Sequence, residues 1–162
     1  MSLAVRRAAG TDLEVLADLW HRGWHDGHDG HVPDALTAVR TEASFHERMA
    51  ERLGDTLVVE RDGEVAGFVT VVGAELEQVY VAPAHRGSGV APRLLVEGLA
   101  VVAARGHDRA WLAVAVGNAR ARRFYEREGW RDVAALDYQA QGPDGPIGSP
   151  CRRYERALPP VE

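Results

Sequence analysis

The stretch PAHRGSGVAPRLL, Pro83 to Leu95, joins a β-rich run to an apolar helical one, and its glycines decide what the junction can hold. Gly87 and Gly89 lack a Cβ, so the backbone there can take unusual dihedrals and approach a ligand closely. The amide N–H groups from Gly87 to Ala91 then point into one concavity at a helix N-terminus, where the helix dipole favours negative charge. Pro92 suits the first helical turn, because its missing N–H would be unpaired there anyway. The turn therefore reads as a phosphate cradle, with Arg86 and Arg93 adding charge. A Walker A loop needs Gly-Lys-Ser/Thr, and this chain has no Lys. A dinucleotide fingerprint also fits poorly, since Pro92 stands where the third Gly belongs and the loop lies deep in the chain. A Gly-rich strand-to-helix turn without a ligand is the alternative.

Charge is segregated around this turn. Residues 1 to 85 carry 15 acids against 7 arginines, residues 86 to 131 carry 9 arginines against 4 acids, and residues 132 to 162 carry 3 against 5. All 19 basic residues are Arg, whose planar guanidinium suits bidentate phosphate contact. The basic middle block is thus an anion-binding candidate, although solvated arginine helices are common. The chain has 162 residues, 46% apolar and 27% charged, which predicts one soluble domain spanning residues 1–162. It shows neither a signal peptide nor an apolar run near membrane length, so a cytoplasmic location is the default expectation. Cys151 is the single cysteine and can form no internal disulfide.

Outward from the turn, periodicity lays out the elements. Leu3–Ala8 reads as a strand, and Thr11 with Glu14 as a capping box opening a helix whose apolar stripe includes Leu13, Leu16 and Trp20. Beyond Trp20, three glycines and Pro33 predict a fraying end and a loop. Ser44 with Glu47 predicts a second box, with a helix through about Leu53. Asp55–Arg61 and Glu64–Val72 are strands joined by Asp62-Gly63, a strong hairpin signal. Glu75–Ala82 is another strand, Gly89–Arg105 a long helix, Arg109–Val116 a strand, Asn118–Glu128 a helix and Arg131–Ala140 a strand. A Gly/Pro-rich connection from Gln141 to Pro150 leads to a last strand from Cys151 to Leu158. The order β-α-α-β-β-β-α-β-α-β-β predicts an α+β fold, a mixed α/β sandwich on a twisted sheet.

A second motif sits at a set distance from the first. Arg86, Gly89 and Ala91 match Arg/Gln-x-x-Gly-x-Gly/Ala, and Asn118-Ala-Arg-Ala-Arg-Arg-Phe-Tyr125 with Gly129-Trp130 matches Asn-x-x-Ala-x-x-(aromatic or Leu)-Tyr-x-x-x-Gly-aromatic. In this order and spacing the chain resembles the GNAT superfamily of N-acetyltransferases over nearly its whole length. The resemblance implies a sheet splayed between its fourth and fifth strands and transfer of an acetyl group from acetyl-CoA to a primary amine in a ternary complex. It gives Gly87, Ser88, Gly89, Val90 and Ala91 the pyrophosphate, main-chain groups at Val79, Tyr80 and Val81 the pantetheine arm, and Asn118 the opposite side of that arm. CoA's phosphates would then account for the basic block. The resemblance makes Tyr125 the general acid for the departing thiolate; a core tyrosine is the alternative.

An ammonium must lose a proton before it attacks. Glu75 and Glu77, two apart, project to the same face of the acyl-bearing strand. The resemblance supports a base there without choosing between them, and a solvent-facing pair is the alternative for each.

WHRGWHDGHDGHVPD, Trp20 to Asp34, leaves three readings open. His21, His25 and His28 fall at i, i+4 and i+7, which suits a metal, but HExxH is absent and three glycines interrupt the stretch. A polar loop is the second reading. The third is a wall of the acceptor site, with Trp24, His25, His28 and His31, since the first two helices border that site in the resembled family. The acidic first block would then favour a cationic amine. No metal is expected, nor a nucleic-acid or membrane partner, and the resemblance allows a homodimer. The competing functions are a CoA-binding regulatory module without catalysis and a His/Asp metal-dependent hydrolase.

Overall fold

The computed structural model describes residues 2–158. Its strands are β1 (Leu3–Arg7), β2 (Thr56–Arg61), β3 (Glu64–Val72), β4 (Glu75–Val81), β5 (Arg109–Ala115), β6 (Arg131–Ala140) and β7 (Ile147–Ala157). Its helices are α1 (Leu13–His28), α2 (Asp34–Val39), α3 (Glu42–Arg52), α4 (Val90–Ala104) and α5 (Ala119–Arg127). The strands form one sheet in the order β1-β2-β3-β4-β5-β7-β6, antiparallel except where β4 meets β5. None of the helices among the described residues is long and apolar enough to cross a membrane.

Alternation along the strands sends side chains to two cores. Val59, Val69, Val71, Leu76 and Leu112 meet Leu94, Leu95 and Val102 of α4 on one face. Val58 and Phe68 meet Leu16, Trp20, Phe45 and Met49 of α1 and α3 on the other. Asp62 and Gly63 both have positive φ, 52° and 83°, as the predicted tight hairpin turn requires.

Four local expectations change. First, α1 does not fray after Trp20 but runs to His28. Its glycines serve packing: a Cβ on Gly23 would lie 2.5 Å from the Tyr80 ring, and one on Gly27 would lie 3.1 Å from Asn118 Nδ2. Second, the two caps shift. Asp12 accepts from the Ala9 N–H at 2.7 Å ahead of α1, and Thr41 accepts from the Ser44 N–H at 3.2 Å ahead of α3. Third, a short helix, α2, follows Pro33. Fourth, β7 begins at Ile147, because Ile147–Pro150 pairs with Asp137–Ala140. Pro150 is tolerated there since its carbonyl, and with it the side lacking an N–H, faces Val116 past the end of β5.

Gly23→Ala provides a test of the packing role. In an exposed helix this change stabilises by about 1 kcal/mol, but overpacking against a buried ring costs about 1–3 kcal/mol. The expected result is a lowered Tm by circular dichroism; a raised Tm would mean that Tyr80 moves aside freely.

Candidate active site

β4 and β5 pair only at Glu75 and Trp111, with the Trp111 N–H donating to the Ala74 carbonyl at 3.0 Å. Beyond that point they part, and the edge of β4 from Gln78 to Val81 has no strand on its β5 side. A bulge in β4 opposite Thr70–Val71 leaves Glu77 as the extra residue. It changes which face the chain presents: Leu76 packs towards α4, whereas Tyr80 packs towards α1. Two cavities of about 400 and 850 Å³ flank the gap, and both are lined by Val79, Tyr80, Asn118 and Tyr125.

The larger cavity lies between the Gly-rich turn and the start of α5. Gly87 and Gly89 have φ of 73° and 83°, and a Cβ on either would meet nothing within 4 Å. These positions are glycine for their backbone conformation, and their open side faces the cavity. Val90 is buried in the core below the turn, and neither it nor Ser88 lines the cavity. The Ser88 hydroxyl donates to the His85 carbonyl. Arg86, Arg120 and Arg127 line the space, with Arg86 held to Asp26 of α1 at 3.1 Å. Asn118 caps α5 by accepting from the Ala121 N–H at 3.2 Å, so its Nδ2 is left for the cavity side.

The smaller cavity is walled by Trp20, Trp24 and His28 of α1, Arg48 and Arg52 of α3, Arg40, Glu77 and Tyr138. Arg52 closes on both oxygens of Glu77, at 3.0 and 3.2 Å. His28 stacks on Trp24 with ring centroids 4.5 Å apart. Its Nδ1 lies 2.7 Å from the Trp24 carbonyl, which can only accept, so Nδ1 carries the proton. Burial pushes the His28 pKa down to about 4, leaving a neutral ring. Burial also pushes the Cys151 thiol in this wall up to about 11, so it is not a ready nucleophile.

Tyr125 reaches both cavities from α5. Its ring packs on Trp130 and Tyr154 at 6.2 and 6.3 Å, and burial raises its hydroxyl pKa, keeping it protonated.

A family model described as "Acetyltransferase (GNAT) family" matches residues 13–130. The chain belongs to the GNAT acetyltransferase family. An uncharacterized N-acetyltransferase of Archaeoglobus fulgidus is 30% identical over 142 residues, covering 80% of this chain and 93% of that protein. One of Mycobacterium tuberculosis is 30% identical over 106 residues, covering 62% and 68%. The solved PaiA N-acetyltransferase of Thermoplasma acidophilum in complex with coenzyme A shares the fold, with a TM-score of 0.74 at 18% identity over 98% of this chain and 100% of that one. This acetyltransferase is an acetyl-CoA-dependent acyltransferase.

The expected site residues are therefore distributed unevenly. Arg86, Gly87, Gly89 and Ala91 of the turn and the β4 edge line the larger cavity, whereas Ser88 and Val90 do not; Tyr125 and Asn118 stand at the junction, and Glu77, Trp24 and His28 line the smaller cavity. Glu75 lines neither; Tyr138 donates to it at 2.7 Å behind the wall. His25 is also withdrawn: Nε2 is 2.6 Å from the Arg40 carbonyl and Nδ1 2.8 Å from Asp29. His31 lines the larger cavity, beside Gly117, rather than the smaller one. Among the described residues no three His, Cys, Asp or Glu side chains converge as metal ligands do. Arg40, Arg48, Arg52 and Tyr138 were absent from the sequence expectation. The available signal was Arg48 and Arg52 at i, i+4 on one helix within an otherwise acidic half.

Proposed function

We propose that this acetyltransferase moves an acetyl group from acetyl-CoA in the larger cavity to a primary amine in the smaller one, with both bound at once. The observation that carries this is the meeting of the two cavities at Tyr125, in the gap between β4 and β5. Main-chain N–H groups of Gly87–Ala91, beside Arg86, hold the pyrophosphate at the N-terminus of α4. The open edge at Val79, Tyr80 and Val81 takes the pantetheine arm as an added strand, with Asn118 opposite. Acetyl-CoA supplies the activated acyl carbon. Glu77 receives the amine and its proton, Tyr125 gives a proton to the departing sulfur, and Glu75 supports the wall through Tyr138. Trp24 and His28 bound the acceptor, His31 borders the CoA side, and His25 fixes the chain at Arg40.

Acetyl-CoA should raise the Tm while ATP and NAD do not, and an amine panel should release free thiol. Gly89→Ala strains a left-handed position by roughly 1–2 kcal/mol and is expected to raise KM for acetyl-CoA about tenfold. Stabilisation without thiol release from any amine would favour a CoA-binding module over an enzyme, and unchanged KM in Gly89→Ala would move the pyrophosphate elsewhere.

A further inference from the structure

Two guanidinium groups of the smaller cavity have no carboxylate within hydrogen-bond or ion-pair distance among the described residues. Arg40 is 4% exposed, and its Nε has no hydrogen-bond acceptor among the described residues. Arg48 is half-buried, and its Nη1 is likewise buried without an acceptor. Arg48 lies over the Trp20 ring at 4.4 Å and near Phe45 at 5.7 Å, and Arg40 is 5.9 Å from Trp24. Such contacts offset about 0.5–2 kcal/mol, less than the several kcal/mol that an ion loses on leaving water.

The surroundings do not supply the missing charge. Facing Arg48 are Glu77, Tyr80, Tyr138 and Arg52, and Glu77 already gives both oxygens to Arg52. Glu51 lines the same cavity without a hydrogen bond to either guanidinium. Facing Arg40 are Arg48 and Tyr80, so the two cations repel each other. His28, held neutral, adds nothing. Burial accordingly pushes Arg40 down to about 10 and lowers Arg48 as well, against groups that otherwise stay charged at any ordinary pH. The acidic surplus of residues 1–85 thus does not gather on this wall: Arg40, Arg48 and Arg52 stand against Glu51 and Glu77. Under the acetyl-transfer reading above, that balance disfavours a purely cationic acceptor.

We propose that the acceptor is a small amine that also carries an oxyanion, with the oxyanion seated on Arg48 and Arg40 and the amine turned towards Glu77 and Tyr125. The proposal rests on the acetyl-transfer reading above and names its substrate class. A planar guanidinium grips carboxylate or phosphate in bidentate fashion, and either completes the ion pairing that the fold leaves open. The volume of about 400 Å³ lies at the lower end of the range of small-molecule sites, which suits a small acceptor. Polyamines are disfavoured, since they would bring more positive charge to two unpaired cations.

The test uses the full chain with CoA present and measures binding by calorimetry for amino acids, their carboxamides, aminoalkyl phosphates and polyamines, with thiol release from acetyl-CoA in parallel. One oxyanion set is expected to bind at least about tenfold tighter than the carboxamides, and which set does so identifies carboxylate or phosphate. Arg48→Gln should abolish that preference and act on acceptor KM more than on kcat, and Arg48→Lys should recover part of it. Should Arg48→Gln fail to fold by circular dichroism, Arg40→Gln carries the same comparison. Carboxamides or polyamines binding as well as the oxyanion probes, or no probe binding at all, would overturn the proposal. Lack of stabilisation by acetyl-CoA defeats the transfer reading instead, so the two failures are distinguishable.

Discussion

Tyr125→Phe is expected to lower acetyl transfer by about a hundredfold or more, the usual worth of a positioned proton donor, while acetyl-CoA affinity stays within about twofold. The substitution is unusually clean at this position. Phe keeps the ring that packs on Trp130 and Tyr154. The hydroxyl is bound by none of the described residues, so its loss orphans no buried group. Burial raises the pKa of the phenol above its ordinary value near 10, which keeps it protonated, and so a donor, at neutral and mildly basic pH. Steady-state thiol release compared with calorimetric acetyl-CoA binding separates the two effects. Equal losses in both would reassign Tyr125 to binding, and unchanged turnover would remove its hydroxyl from the chemistry.

What the sequence disclosed, and what it hid, follows from the range of the forces involved. The Asp62-Gly63 turn and the Gly87–Gly89 loop were legible because each answers a local backbone demand, a positive φ, that few residues meet. The α4 stop at Gly106, with φ of 86°, belongs to the same class. By contrast, Gly23 and Gly27 obey a demand made from far along the chain, by Tyr80 and Asn118, and so resemble helix breakers when only neighbours are weighed. The bulge at Glu77 is likewise a property of the β3–β4 pairing rather than of β4, which is why two glutamates on one face separate into a cavity residue and a wall support. Summing charge along the chain misses the charge balance of the smaller cavity for the same reason. Arg40 and Arg48 come from an acidic half, yet the packing of α3 against α1, with Arg48 over Trp20 and Arg40 near Trp24, gathers them on one cavity wall.

Glu75→Gln is expected to reshape the dependence of stability on pH. Burial behind Tyr138 pushes the Glu75 pKa up to about 7, with the Tyr138 hydroxyl opposing the rise by donating to the carboxylate. Between the unfolded value of 4.5 and this one, the folded chain holds a proton that the unfolded chain has released. Stability attributable to the group is therefore full below about pH 4.5 and is lost as pH rises through about 7, by an amount of the order of 3 kcal/mol. Gln presents the same shape, still accepts from Tyr138 and never ionises. Of that loss about 2.5 kcal/mol falls between pH 5 and pH 8, so relative to wild type the variant should gain roughly 5–10 °C in Tm over this range, at about 2–4 °C per kcal/mol for a chain of this size. Parallel Tm profiles over that range would mean that Glu75 is solvated in solution and that its carboxylate is not held dry behind the wall. Tyr138→Phe sharpens the comparison: without the opposing hydrogen bond the pKa of Glu75 climbs further, and the loss of stability begins to level off only at a higher pH than in wild type.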